Sequence, residues 1–564
     1  MLASGCEGQT APTGTPTETI ATRPASLDPH PAGGGAACTL YHHGRIFTGD
    51  PRQPWANALG VCGEWIVFAG SDHGADDGAR GSWFERVDLE GRTVVPGIHD
   101  AHTHVLGIPG KRLNDTSFVP GPGPRLDAVL ALVRDGVRAN PPGTLLVVMI
   151  GDAILADPTA TRAALDPASP DHPVILRSWT GHGTVINTAA MRMLGIDETE
   201  PDPFGGRYLR APGTQVITGV VQEYAEHGLN RRLFDRMRDD ELLTVYRTYA
   251  ERAVQLGYTS IQDIPLGLTH ARTASVLRAA NLPLRVRSIC FPLTPNEPCE
   301  TAPSDAPRGS KLTWGGLKWI TDGTPLERNA FLREPYADAP DFFGIFNFSE
   351  SALHTQLRRS LGHDRARDQP IFHAVGDAAL DEVLDAASRF GARAWRGRRF
   401  RIEHGDLIYA DHIARLRRLE AIVVQNPLHL GIPDLMHQRL GPARAEIMQP
   451  LRTLLRTGVG LAFGTDAIGA VQTPWLDLLL AITHPTNPSE ALTLEQALTA
   501  YTRGAAFAEF TDDRKGTLAP GMLADFAVLS QDVFRVTPAQ LPATRSVLTV
   551  IGGKVVWDAG ALHR

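Results

Sequence analysis

VVPGIHDAHTH, residues 94–104, closes an apolar run on two histidines that are one residue apart. On an extended strand successive side chains alternate between faces, so His102 and His104 leave the same face. Two neutral nitrogen donors on one stiff strand suit Zn²⁺ or a similar divalent ion. Asp100, just ahead of the pair, is placed to orient a ligand from behind. An H-x-H pair alone says little in a chain with 20 histidines. Its weight comes from four further apolar runs that end in the same way: GGLKWITDG (315–323, Lys318), PIFHAVGD (370–377, His373), RFRIEHGD (399–406, His404) and VGLAFGTD (459–466, Asp466). Five strand ends delivering His-x-His, Lys, His, His and Asp in that order predict one metal centre at the mouth of a parallel barrel.

The sequence between these runs carries the repeat such a barrel needs. DDELLTVYRTYAERAVQLG reads as an amphipathic helix followed by the strand YTSIQDI, and EIMQPLRTLLRTG as a helix stopped at Gly458 before VGLAFGTD. With AIVVQNPLH as one more strand, His373, His404, AIVVQ and Asp466 follow one another at βα spacing. The fold class is therefore α/β, a parallel barrel over residues 97–510. Short strands punctuated by Gly and Asp fill residues 37–96 and 511–564, which are expected to meet in one small β-sandwich. The distance from His104 to Lys318 exceeds two or three βα units. Residues 111–235, with the helix RLDAVLALVRDGVRA and the strands TLLVVMIG and PVILRSW, are expected to form an insertion over the barrel mouth. Residues 1–36, rich in Gly, Pro, Thr and Ala, are expected to be a disordered tail.

Bulk properties narrow the function classes. A formal net charge of −7 argues against a nucleic-acid partner, and no apolar run reaches the ~18–20 residues of a membrane span. A small-molecule substrate fits best, with a homodimer as the commonest assembly. The five cysteines are odd in number and lack C-x-x-C spacing, so they read as buried or indifferent thiols rather than a disulfide framework. The opening Leu2-Ala3-Ser4-Gly5-Cys6 is like the end of a bacterial lipoprotein signal, yet no charged segment and long apolar segment precede it. A cytoplasmic protein and an exported lipoprotein with a shortened signal both stand.

Each candidate ligand also has a bland reading. Lys318 could snorkel to solvent; if Leu317 and Trp319 face the outer helices, it points into the barrel, where an ammonium is costly. There it would act by charge, or lose its proton and take up CO₂ as a carbamate able to bridge two metals. His373 and His404 could be core histidines, although a pair one repeat apart at the mouth favours ligation. Asp466 could make an Asx turn, or be both ligand and general base.

The chain resembles the amidohydrolase superfamily, in particular its YtcJ-like branch with the N-substituted formamide deformylases. The carriers are VVPGIHDAHTH, the DG and REPYAD elements of KWITDGTPLERNAFLREPYAD, and HAVGD, RIEHGD, QNPLH and GTD. LTLEQALTAYTRGAAFA and KGTLAPGMLADFAVLS extend the likeness over nearly everything after residue 37. The resemblance implies a (β/α)8 barrel with a β-sandwich from both chain ends. It also implies a site of one or two Zn²⁺ ions, two favoured and other divalent metals admissible, on His102, His104, Lys318, His373, His404 and Asp466, with a carbamate on Lys318. By the same resemblance His182, in SWTGHGTVINTAAM, contacts substrate or the developing oxyanion; Glu223, Asp322 and Arg328 lie in recurrent pieces, and Asp322 and Arg328 are candidates for substrate contact. Trp179 and Trp319 are further candidates for substrate contact. The chain departs from the branch at Ala378, where Arg is usual, and at Gly405-Asp406, where Ala-Gln is commoner.

The expected reaction is hydrolysis of a non-peptide C–N bond in an amide, N-formyl or cyclic amide. The metal lowers the pKa of a bound water towards ~7 to give hydroxide, and Asp466 takes the proton and returns it to the departing amine. Ester or lactone hydrolysis and deamination use the same machinery. A non-catalytic binding protein on the scaffold is the reading from another class.

Overall fold

The computed structural model describes residues 38–72, 84–114, 123–299, 310–362 and 368–562. The expected tail over 1–36 and the Cys6 motif lie outside the described residues. Eight parallel strands make one continuous sheet: β1 (Ile98–Thr103), β2 (Tyr258–Asp263), β3 (Arg285–Cys290), β4 (Leu312–Ile320), β5 (Pro370–Ala374), β6 (Arg401–His404), β7 (Ile422–Gln425) and β8 (Gly460–Phe463). The sheet closes just past β8, where Asp466 N donates to His102 O at 2.8 Å and His104 N to Ala467 O at 2.9 Å. Gly464 permits this approach, since a Cβ there would stand 2.4 Å from the His102 nitrogen. The fold is the (β/α)8 barrel that the strand ends predict.

Outward-facing residues of these strands are almost wholly apolar, and Val423, Phe372, Ile402 and Trp319 pack under the surrounding helices. The helix Asp239–Gln255 covers β2 with Leu242, Tyr246, Ala250 and Val254, as its apolar spacing requires. The helix Leu451–Thr457 stops at Gly458, whose φ of +75° is the left-handed cap position.

The chain ends meet through Phe526–Leu529, antiparallel to Thr93–Pro96 with Ala527 opposite Val95. This joins C-terminal and N-terminal strands in one six-stranded sheet, and a four-stranded sheet carries Cys38–His42 and Ala58–Cys62. The two sheets enclose a core of Ile46, Leu59, Ile66, Phe526 and Leu548. Between β1 and β2 the chain builds a further six-stranded sheet from Lys111–Arg112 to Ile217–Glu223, then the helix Tyr224–Phe234.

One expectation is corrected. Cys38 is bonded to Cys62 and Cys290 to Cys299, so the four described cysteines are not indifferent thiols. Strand register supplies the first pair, because Cys38 lies directly opposite Cys62 in an antiparallel ladder, and linear spacing cannot show register. No described helix is long and apolar enough to cross a membrane.

Candidate metal centre

His102 and His104 leave the same face of the β1 end, and Asp466 meets them from the turn after β8. His102 Nε2 is 3.3 Å from His104 Nε2 and 3.2 Å from Asp466 Oδ1, and His104 Nε2 is 3.0 Å from the same oxygen. A tetrahedral ion with bonds of about 2.0–2.1 Å has donor–donor edges of about 3.3–3.4 Å. The triangle, slightly smaller, is close in size to one face of a tetrahedral shell around a divalent ion such as zinc. The far nitrogens are fixed from behind: His104 Nδ1 by Ile264 O at 2.6 Å, and His102 Nδ1 by the carboxylate of Glu403. Asp100 accepts from Thr465 N (3.0 Å), Thr465 Oγ1 (2.6 Å) and His102 N (3.0 Å), tying the β1 end to the GTD turn.

His404 is the last residue of β6, and its ring lies 5.0 Å from that of His102 and 4.3 Å from that of His373. Both His404 (φ +65°) and Asp466 (φ +55°) hold left-handed backbone conformations that non-glycine residues seldom adopt. Such outliers gather where geometry is set by function. Lys318 points into the barrel, as the outward-facing Trp319 requires, and its Nζ is buried without a hydrogen-bond partner. That orphaned nitrogen and the converging imidazoles fit a metal-binding site.

The electrostatics favour ligand forms of the side chains. Burial pushes His373 and His404 well below the ordinary imidazole range, and lowers His104 as well. Burial lowers Lys318 to about 8 against the pull of Glu403 and Asp466. Burial alone would lift Asp466 and Glu403. Instead His102, His104 and His429 hold Asp466 well below the carboxylate range, while Arg401, His102 and Lys318 do the same for Glu403.

The remaining candidates divide. His182 Nδ1 is 3.0 Å from Glu223 Oε2, and its ring lies 4.7 Å from that of His373, so it adjoins the centre. Burial would depress its pKa, but Glu223 and Glu327 raise it to about 9. Asp322 accepts three backbone N–H groups, from Phe331, Val375 and Gly376, and lies 3.7 Å from His373 Nε2; burial raises it to about 8. It braces the loops around His373. Arg328 turns to Asp338, with Nη2–Oδ2 of 2.8 Å, and does not line the cavity. Trp319 packs on the outer side of β4 against Phe204 and Phe348, because its neighbour Lys318 takes the inner face. The expected substrate contact by Arg328 and Trp319 does not fit these positions. Trp179 does line the cavity.

That cavity is lined by the polar groups His373, His404, His429 and Asp466 and by the apolar Leu326, Val375, Ile432, Met436, Met448 and Trp179. Three residues at the centre escaped the sequence reading. Glu403 is hidden inside RIEH, and Asp406 showed only as a departure from Ala-Gln. His429 ends QNPLH on a 3₁₀ turn, Pro427–Gly431, rather than on a strand. His429 Nδ1 is 2.9 Å from Asp406 Oδ2, and burial is outweighed by Asp406 and Asp466, which raise it to about 10.

Comparison with known proteins accords with this arrangement. YtcJ of Bacillus subtilis (strain 168) is 27% identical over 548 residues, covering 92% of this chain and 99% of that protein. An N-substituted formamide deformylase of Arthrobacter pascens is 25% identical over 542 residues, covering 91% and 97%. The crystal structure of an uncharacterized metal-dependent hydrolase from Pyrococcus horikoshii superposes with a TM-score of 0.68 at 22% identity, covering 90% of this chain and all of that one. Residues 85–557 match the amidohydrolase family, and the chain belongs to that family.

Proposed function

We propose that this protein is a metal-dependent hydrolase of a non-peptide C–N bond, in an amide, N-formyl or cyclic amide. The observation that carries the reading is the meeting of His102 Nε2, His104 Nε2 and Asp466 Oδ1 at 3.0–3.3 Å from one another, beside the cavity at the barrel mouth. Those three residues would hold one divalent ion, zinc or a similar one. Lys318, His373 and His404 are the residues for a second, with Lys318 as a carbamate. Such a metal, when bound, would supply Lewis-acid activation for a water and for the carbonyl of the substrate.

The chain's own groups do the rest. Asp466 accepts the proton released on attack and returns it to the departing nitrogen, which leaves poorly unless protonated. His182, its Nδ1 engaged by Glu223, presents Nε2 as a donor to the developing oxyanion. Trp179, Met436 and Met448 seat an apolar substituent and keep bulk water from the bond being broken. The resemblance to a protein named as an N-substituted formamide deformylase supports the C–N assignment.

A screen of the zinc-loaded protein across N-formyl, N-acyl and cyclic amides, each with a matched ester, tests the reading. Turnover of an amide class is expected; turnover confined to the esters would replace C–N by C–O hydrolysis. Native mass measurement tests the carbamate on Lys318, expected as an added CO₂ that is absent in Lys318→Ala.

A further inference from the structure

β7 is the one barrel strand between β4 and β8 that has so far supplied no donor to the centre. The turn that follows it carries His429, whose ring stacks on that of His404 at 5.3 Å and 20°. We infer that His429 is a further metal ligand, completing with His404 and Asp466 a second donor triangle beside the first, and that Asp406 is the residue that orients it. The inference rests on the metal-dependent reading above and deepens it.

Three observations carry it. Ligand atoms of His404, His429 and Asp466 all lie within 4.8 Å of one another. Asp466 divides its carboxylate, with Oδ1 facing His102 and His104 and Oδ2 facing His429 Nε2 at 3.6 Å. That separation is too long for a hydrogen bond and close to the edge of about 3.3–3.4 Å between two donors of one ion. Finally, His429 has only Nε2 to offer, because Nδ1 is taken by Asp406 Oδ2 at 2.9 Å. Asp406 is itself pinned: Gln449 Nε2 donates to its other carboxylate oxygen at 3.1 Å, and Gln449 N to its backbone carbonyl at 2.8 Å. A carboxylate holding the far nitrogen of an imidazole is the arrangement that orients histidine ligands.

A second histidine–carboxylate cluster in the same protein shows what a merely structural one looks like. Asp381, Asp411 and His412 also lie within ligand distance of one another. Arg333 and Arg415 supply the positive charge there, at 2.6 Å from Asp381. Among the described residues, no arginine or lysine lines the cavity beside Asp406, His429 and Asp466. With no arginine in that place, a bound cation can take the place of the His429 proton between these two carboxylates.

Metal content by plasma mass spectrometry and the visible spectrum of the Co²⁺-substituted protein test this on the full chain, for wild type, His429→Ala and Asp406→Asn. The wild type is expected to hold two ions. His429→Ala is expected to lose one and to change the Co²⁺ bands, and Asp406→Asn, nearly isosteric, to weaken the same ion by roughly 10- to 100-fold. Wild-type content and spectrum in His429→Ala, or unaltered affinity in Asp406→Asn, would overturn the inference while leaving the hydrolase reading standing. A wild-type protein that takes up no ion would overturn both.

Discussion

Glu403 and His102 meet in a buried hydrogen bond between carboxylate Oε2 and imidazole Nδ1, which leaves only Nε2 of His102 facing Asp466. Arg401, two residues earlier on the same face of β6, pairs with Glu403 and also reaches Gln262 Oε1 at 2.6 Å and Ala101 O at 2.5 Å. The charged pair sits inside the barrel beneath the centre, fully buried. Such a pair is a poor source of stability but a good means of fixing one orientation.

Glu403→Gln should therefore weaken metal binding by roughly 10- to 100-fold while the protein stays folded. Competition against a chelator of known affinity measures this. An unchanged affinity would mean that the pair only fills space.

Asp466→Asn keeps an oxygen beside His102 and His104 but removes the base. It should still bind metal, and its turnover should fall by roughly 10²- to 10⁴-fold. Steady-state kinetics beside metal analysis on the same sample separate the two roles. Near-normal kcat would remove Asp466 from the chemistry.

The convergence of these candidate ligands at the strand ends was legible because strand parity and βα spacing are local rules. His102, His104, Lys318, His373, His404 and Asp466 each sit on, or within three residues of, a barrel strand. His429 was not legible in the same way, since it lies on a 3₁₀ turn whose direction depends on how the chain leaves β7. Glu403 and Arg401 carry no such local signal, because only the closed barrel brings the inward-facing Glu403 across to His102. Trp319 shows parity misapplied: once Lys318 faces inward, its neighbour must face the helices. Cys38 and Cys62 became a pair only through the register of two strands.

The two tryptophans give a contrast that kinetics and unfolding can read together. Trp319→Ala empties a buried site between Phe204 and Phe348 and should cost about 3–5 kcal/mol, with little change in KM for the folded fraction. Trp179→Ala should instead raise KM for substrates with bulky apolar groups and cost much less stability. The reverse pattern would put Trp319 in the pocket.

Acid should loosen the contact between the helices Asp377–Ser388 and Ala410–Arg418. Partial burial opposes ionisation of Asp381, but Arg333 and Arg415 overcome this and hold it at about 2, below its ordinary 3.8. A depressed carboxylate contributes stability above its unfolded pKa and loses it as pH falls through the folded value. The gap in urea midpoint between wild type and Asp381→Asn should be steady above about pH 5 and close between about pH 4 and 2. A gap that widens with acid would contradict the assignment.

Hydrolysis of an aryl amide by metal-stripped and zinc-reloaded protein tests the central claim most directly. Loss of turnover on stripping and its return with zinc, together with the loss of both in His102→Ala, is the result the account predicts. Amide turnover that persists undiminished in the stripped protein would contradict it.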